Sequence, residues 1–168
     1  MSLTLDQIPS GSRIFIDSTV FIYHFTASSP ACRKLLERCE AGDVRGLTST
    51  VVLAEVTHRL MIGEAVAGRL VTSGNIAKKL RARPEIVRQL HLYDEQVQRI
   101  PLMGVQVVSL DLGALIRSAE VRRQDGLLVN DSLVVAGTRE TGADGLASAD
   151  GDFRRVKDLK VFTPDDLG

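Results

Sequence analysis

Short apolar runs bounded by turn residues alternate along this chain with stretches of helical period, which predicts strands and helices in turn. The clearest run is Arg13-Ile14-Phe15-Ile16-Asp17, apolar at successive positions and so suited to a strand covered on both faces. It ends abruptly in a carboxylate, and Ser18-Thr19 then opens a short helix through Phe25. Pro30 starts a second helix to about Glu40, with Leu35, Leu36 and Cys39 on one side. Val44 to Ser49 reads as the next strand. Ser49 or Thr50 then caps a helix through Met61 whose inward stripe is Val52, Val56 and Leu60, with Glu55 one step to its side.

The remainder follows the same rhythm. Residues 105–110 form a third strand, and Asp111 caps a helix from Leu112 to Arg123. Asn130-Asp131-Ser132 opens a helix to about Glu140, apolar in its first turns, whose amino end is expected to be buried at the sheet edge. Residues 143–148 and 159–162 supply two further strands, and residues 1–12 read as a polar lead-in. Residues 64–99 are the least diagnostic, with the runs 76–80 and 86–97 read as a helical pair outside the sheet. Strands alternating with helices predict an α/β fold, a three-layer α/β/α sandwich with a central parallel sheet.

Composition narrows the classes. The 168 residues suit one domain, and 44% hydrophobic with 25% charged residues is an ordinary globular mixture. No apolar run approaches the ~20 residues of a spanning helix. The amino-terminal residues show neither a basic start nor an apolar stretch, so the expected location is cytoplasmic with no membrane association. Lys plus Arg and Asp plus Glu both number 21, so a phosphate-bearing partner has to be met by a local patch. Lys78, Lys79, Arg81, Arg83 and Arg88 gather in one such segment, read either as a solvated helix face or as a nucleic-acid contact. Cys32 and Cys39 fall seven residues apart on one helix, about 10 Å by helical rise, too far to form a disulfide.

Four acids occupy comparable places: Asp17 after the first strand, Glu55 beside a core stripe, Asp131 at a helix start and Asp150 after the fourth strand. Singly each has a structural explanation. Asp17 and Asp131 suit helix caps, Glu55 suits an ion pair with Arg59, and Asp150 with Asp152 suits a turn. Together they abut apolar runs with no matching set of basic residues, and crowding carboxylates without partners penalises every charge. A hard divalent cation such as Mg²⁺ or Mn²⁺, which prefers oxygen ligands and keeps several waters, removes that penalty. Zinc is disfavoured because His24, His58, His91 and the two cysteines show no tetrahedral spacing.

The segments Ile14-Phe15-Ile16-Asp17-Ser18-Thr19-Val20-Phe21-Ile22-Tyr23, Thr48-Ser49-Thr50-Val51-Val52-Leu53-Ala54-Glu55, Asn130-Asp131-Ser132-Leu133-Val134-Val135-Ala136 and Ala147-Ser148-Ala149-Asp150-Gly151-Asp152-Phe153 stand in the order and rough spacing of the four motifs of PIN-domain ribonucleases. Within that family the chain resembles the VapC-like toxins of bacterial toxin–antitoxin pairs. The resemblance implies a PIN-like nuclease domain over residues 1–168 with a helical insertion at about 63–100. It also implies a metal-dependent endoribonuclease that uses Asp17, Glu55, Asp131 and Asp150, with Asp152 as a more variable fifth acid. Asp17 and Asp131 are then the direct ligands of Mg²⁺ or Mn²⁺, and Glu55 and Asp150 hold waters. RNA is the implied substrate, an antitoxin protein and a second copy the implied partners. The helix around Val20 to Phe25 and residues 44–70 are candidate partner surfaces.

Two departures stand out: Thr19 replaces the Asn common in the family, and the chain is longer than many such toxins. Thr19 or Ser148 is a candidate for positioning a phosphate or water. The alternative within the fold is a non-catalytic PIN-like scaffold that binds RNA or protein. Haloacid-dehalogenase-type phosphatases also begin with a strand ending in Asp, but they need a second Asp where this chain has Thr19. A dinucleotide-binding domain is the weaker alternative still, because no Gly-x-Gly-x-x-Gly follows the first strand.

Overall fold

The computed structural model describes residues 3–167. Six strands form one sheet: β1 (Leu3–Thr4), β2 (Arg13–Ile16), β3 (Arg45–Ser49), β4 (Val105–Val108), β5 (Gly145–Ala147) and β6 (Val161–Thr163). Every pairing is parallel, and the order across the sheet is β1-β6-β5-β2-β3-β4. From β2 the chain steps one way to β3 and β4, then returns through two helices to β5 and β6 on the other side. That reversal makes the carboxyl end of β2 the switch point, where open α/β sheets form their ligand crevice.

Among the described residues eight α-helices accompany the strands: α1 (Ser18–Phe25), α2 (Pro30–Glu40), α3 (Thr50–Ala67), α4 (Ile76–Arg81), α5 (Pro84–Val87), α6 (Leu92–Arg99), α7 (Leu112–Asp125) and α8 (Val129–Glu140). The pleat decides the layers. Phe15, fully buried, points toward α8, where a β-carbon on Gly137 would fall 2.9 Å from its ring. Ile16, one residue on, faces the opposite layer, where its side chain and Cys39 of α2 close over Gly46. The three-layer sandwich is therefore realised, and each such buried side chain contributes about 1.5–3 kcal/mol relative to exposure. Cys32 and Cys39 are free and buried, with burial pushing both thiols up to about 11. Asp111 caps α7 as expected, accepting from the Ala114 N–H at 2.9 Å.

Several elements differ from the sequence expectation. Residues 3–12 are more than a lead-in: β1 pairs with β6 in the register Leu3 to Phe162, and Leu5 and Ile8 are buried. Arg38 fastens this segment by donating to the Ile8 carbonyl at 2.8 Å while pairing with Asp43 at 2.6 Å. α3 runs past Met61 to Ala67, because Gly63 is accommodated inside a helix whose Ala65 is fully buried. The expected helical pair over 76–97 is three short helices, broken by Pro84 and by an extra turn before Leu92. These helices gather around their own apolar cluster of Ala65, Val71, Leu80, Ile86 and Leu90. The amino end of α8 is exposed, with Leu128 at 78% and Val129 at 50%, and burial begins at Ser132. Finally, Val20, Phe21 and Ile22 are consumed by the core, which removes most of α1 from the candidate partner surfaces.

Gly104 gives this architecture a sharp test. Its φ of +72° lies in the left-handed region, and a β-carbon there would meet the Cys39 carbonyl oxygen at 2.3 Å. Gly126 has a similar φ of +68° but open space around it. Gly126→Ala is expected to cost about 1–2 kcal/mol of backbone preference alone. Gly104→Ala should cost clearly more, as read from urea unfolding midpoints; equal losses would contradict the close approach of α2 to the turn before β4.

Candidate functional site

Asp17 leaves β2 and stands at the cap position of α1, yet its side chain makes no capping hydrogen bond. Its carboxylate is only 4% exposed and is held by hydroxyls instead. Ser148 Oγ donates to Oδ2 at 2.6 Å and Thr19 Oγ1 donates to the same oxygen at 2.9 Å. Each hydroxyl has a single proton, and both protons are directed at Asp17. Each hydroxyl oxygen accepts in turn: Thr19 from the Ala149 N–H at 3.0 Å, and Ser148 from the Asp150 N–H at 3.0 Å. Oδ1 of Asp17 keeps only a 3.4 Å contact from Ser18. One oxygen is thus anchored, and the other is left for a ligand.

The same network reaches the fourth motif. Asp150 follows β5 and accepts from the Asp152 N–H at 2.8 Å, closing a single 3-10 turn over Gly151–Arg155. Asp152 is exposed and pairs with Arg155 at 2.8 Å. Thr19 and Ser148 therefore position Asp17 and the β5 exit, a role that the sequence left open between phosphate and water contacts. A threonine hydroxyl here spans the 129-residue sequence gap between Thr19 and Ser148 that no local pattern could reveal.

Glu55 is half-buried near the start of α3, with Arg59 at 3.9 Å, the outer edge of ion-pair range. At that separation and exposure the pair contributes little. Asp131 lies inside the first turn of α8, whose cap position is Leu128, so the cap explanation fails for it as it does for Asp17. Burial raises the Asp131 carboxyl to about 6, and the charges of Asp150, Asp17, Glu55 and Asp152 push it in the same direction. The other four sequence-selected acids are thus near enough for their charges to be felt at Asp131. Among the described residues, Asp17, Asp131 and Asp150 have no Lys, Arg or His within ion-pair distance.

Beside the acids an open groove of about 490 Å³ is lined by Thr50, Val51, Ala54, Glu55, His58 and Asn130. His58 and Asn130 escaped the sequence reading as site residues. Their signal was positional, His58 one turn after Glu55 and Asn130 beside Asp131. No three His, Cys, Asp or Glu side chains among the described residues form a ready ligand group for one ion. The carboxylates stand close enough to shift Asp131 yet short of a closed cage. An all-oxygen donor set carrying uncompensated negative charge fits a hard divalent cation that reaches some ligands through water.

The PIN domain family model matches residues 14–159. Ribonuclease VapC2 of Methanocaldococcus jannaschii is 26% identical over 151 residues, covering 90% of this chain and 93% of its own length. Among solved structures, the fold is similar to VapBC2 from Rickettsia felis bound to a promoter DNA fragment, with a TM-score of 0.59 at 15% identity over 91% of this chain and 99% of that one. It is also similar to Mycobacterium tuberculosis VapC20, described as a sarcin–ricin-loop-cleaving toxin, with a TM-score of 0.58 at 20% identity over 89% and 98%. A toxin–antitoxin complex from Klebsiella pneumoniae aligns with a TM-score of 0.55 at 19% identity over 90% and 97%.

The raised Asp131 makes a stability prediction for the metal-free protein. A carboxyl held at about 6 in the fold against 3.8 when unfolded binds its proton more tightly in the native state. Its contribution is therefore fully present below the unfolded value and lost as pH rises through the folded one. Thermal melts in chelator should show stability falling across that window, and Asp131→Asn should flatten the fall; an unchanged profile would mean the carboxylates do not interact.

Proposed function

The chain belongs to the PIN-domain family, and on that premise we propose that it is a metal-dependent endoribonuclease of the VapC type that hydrolyses RNA phosphodiester bonds. The observation that carries this reading is the Asp131 carboxyl, raised first by burial and then by four other acids, with no cation among its causes. We take residues 1–168 as one nuclease domain in which about 63–100 is inserted.

Asp17, through its free Oδ1, and Asp131 are the residues that would hold the ion, with Glu55 and Asp150 flanking them and Asp152 at the rim. When bound, Mg²⁺ or Mn²⁺ supplies positive charge to phosphate oxygens and makes water more acidic. The chain's own contribution is orientation. Ser148 and Thr19 fix the Asp17 carboxylate plane, and the Asp150 N–H to Ser148 bond ties the fourth motif to it. Glu55, facing the groove with His58 and Asn130, is placed to take a proton from an attacking water. Arg154 and Lys157 are exposed near the mouth and suit phosphate contacts, whereas Arg155 is engaged by Asp152. Among the described residues no helix is long and apolar enough to cross a membrane, and the free thiols suit a cytoplasmic protein.

The non-catalytic scaffold is the second reading, favoured only by the absence of a closed ligand group. Partners follow from the same family. Leu112 at 70%, Leu115 at 42% and Ile116 at 64% exposure make an apolar stripe on the first turns of α7. We assign this stripe to a second copy of the chain, and an antitoxin protein to a separate surface.

Cleavage of structured RNAs should require Mg²⁺ or Mn²⁺ and be abolished by Asp17→Asn or Asp131→Asn with the fold retained. Thr19→Val should weaken divalent binding about 10- to 100-fold, as outer-shell losses do, while Thr19→Ser restores it. Calorimetry that detects no divalent binding would leave the scaffold. For the second copy, Ile116→Glu should convert a dimer to a monomer by sedimentation; a wild-type monomer would refute the assignment.

A further inference from the structure

The chain is electrically neutral as a whole, but its charge is not evenly spread. Residues 68–90 hold six cations, Arg69, Lys78, Lys79, Arg81, Arg83 and Arg88, against the single acid Glu85. None of the six joins an ion pair among the described residues. Elsewhere among the described residues bare cations such as Arg45, Arg139 and Lys160 are scattered between paired ones such as Arg33 with Glu37 and Arg123 with Glu120, whereas here six without ion-pair partners fall within 20 residues of sequence.

Lys79 is accounted for. Its ammonium donates to the Thr72 carbonyl and hydroxyl, each at 2.9 Å, and to the Ser73 carbonyl, tying down the turn before α4. The other five are exposed and have no such duty. Arg69 is the most telling. It follows the end of α3 with φ +55°, a left-handed position that favours glycine, and its neighbours complete the helix stop through Leu70 N–H to Ala65 carbonyl at 3.0 Å. The dipole at the end of α3 welcomes one cation there and does not explain five. Arg69, Lys79 and Arg83 also line a recess of about 420 Å³ with Leu70 and Val71. The separate apolar cluster beneath keeps these charges on a firm platform.

We propose that the helical segment 68–90 is a second RNA-binding surface, which grips the phosphate backbone of a structured substrate away from the cleavage site. This rests on the ribonuclease reading. Glu55 and Ala67 lie on the same helix twelve residues apart, about 18 Å along its axis, a span of roughly five phosphates on a duplex strand. The acids of the mouth repel RNA, and a remote basic surface adds attraction beyond the two cations, Arg154 and Lys157, assigned to phosphate contacts there. It contributes affinity common to substrate and transition state, so it lowers KM and leaves kcat alone.

The test combines Arg69→Gly, Arg83→Gln and Arg88→Gln, which leave Lys79 in place and relieve the left-handed arginine. Binding of a fluorescein-labelled RNA stem–loop is measured by anisotropy across a salt series in an Asp131→Asn background, so that it does not depend on cleavage. The triple variant should bind about tenfold more weakly, with a salt slope reduced by about 0.7–0.9 per lost contact. In the cleaving chain, KM should rise by the same factor at unchanged kcat. Unaltered affinity and slope would overturn the proposal, as would poly-glutamate displacing the RNA as well as unlabelled RNA does, which would assign the surface to an acidic protein. RNA binding that depends on these arginines in a chain that never cleaves would refute the nuclease reading and leave this one standing.

Discussion

Confinement of like charge governs this molecule. Burial and four other acids act on Asp131 at the carboxyl end of a parallel sheet, and the apolar layers on both faces leave little room for counterions of the protein's own. Left alone, such an arrangement destabilises the fold that creates it. Its persistence is understandable only because the surrounding sandwich is rigid enough to hold the carboxylates within reach of one another. The hydrophobic core stabilises the fold, and the acid cluster draws on that stability.

The hydroxyls of Thr19 and Ser148 turn that confinement into geometry. They add no charge, yet between them they use both of their protons on one oxygen of Asp17 and take up two backbone N–H groups from the β5 exit. A longer amide at position 19 would offer a different reach. A threonine serves because β2 and β5 are adjacent, which brings the loops after them within one hydrogen bond. The departure from the family pattern at this position is thus absorbed by sheet order.

Much of this was legible in the sequence because the decisive signals are abrupt. An apolar run that stops at Asp17, or a core stripe flanked by Glu55, announces a carboxylate forced against the interior. What stayed hidden depends on distant partners. β1 is two residues long and exists only because β6 lies beside it. α3 outran its expected end because burial of Ala65 against the second apolar cluster outweighs the helix penalty at Gly63. The exposed start of α8 was misjudged since Leu128 and Val129 are apolar in character, and periodicity cannot say whether an apolar residue meets core or water. His58 and Asn130 have no distinctive neighbours and become site residues only when α3 and α8 meet.

The parallel register of β2 with β5 has a consequence for biosynthesis. The strand carrying Asp17 obtains one of its two neighbours only from residues 145–147, and the hydroxyl that fixes Asp17 belongs to Ser148. A ribosome-bound chain that has not yet yielded this segment holds the amino-terminal acid but cannot close the pocket around it. The hydroxyl cradle of Asp17 therefore cannot form until residues 145–148 have left the ribosome, however early the acid itself emerges.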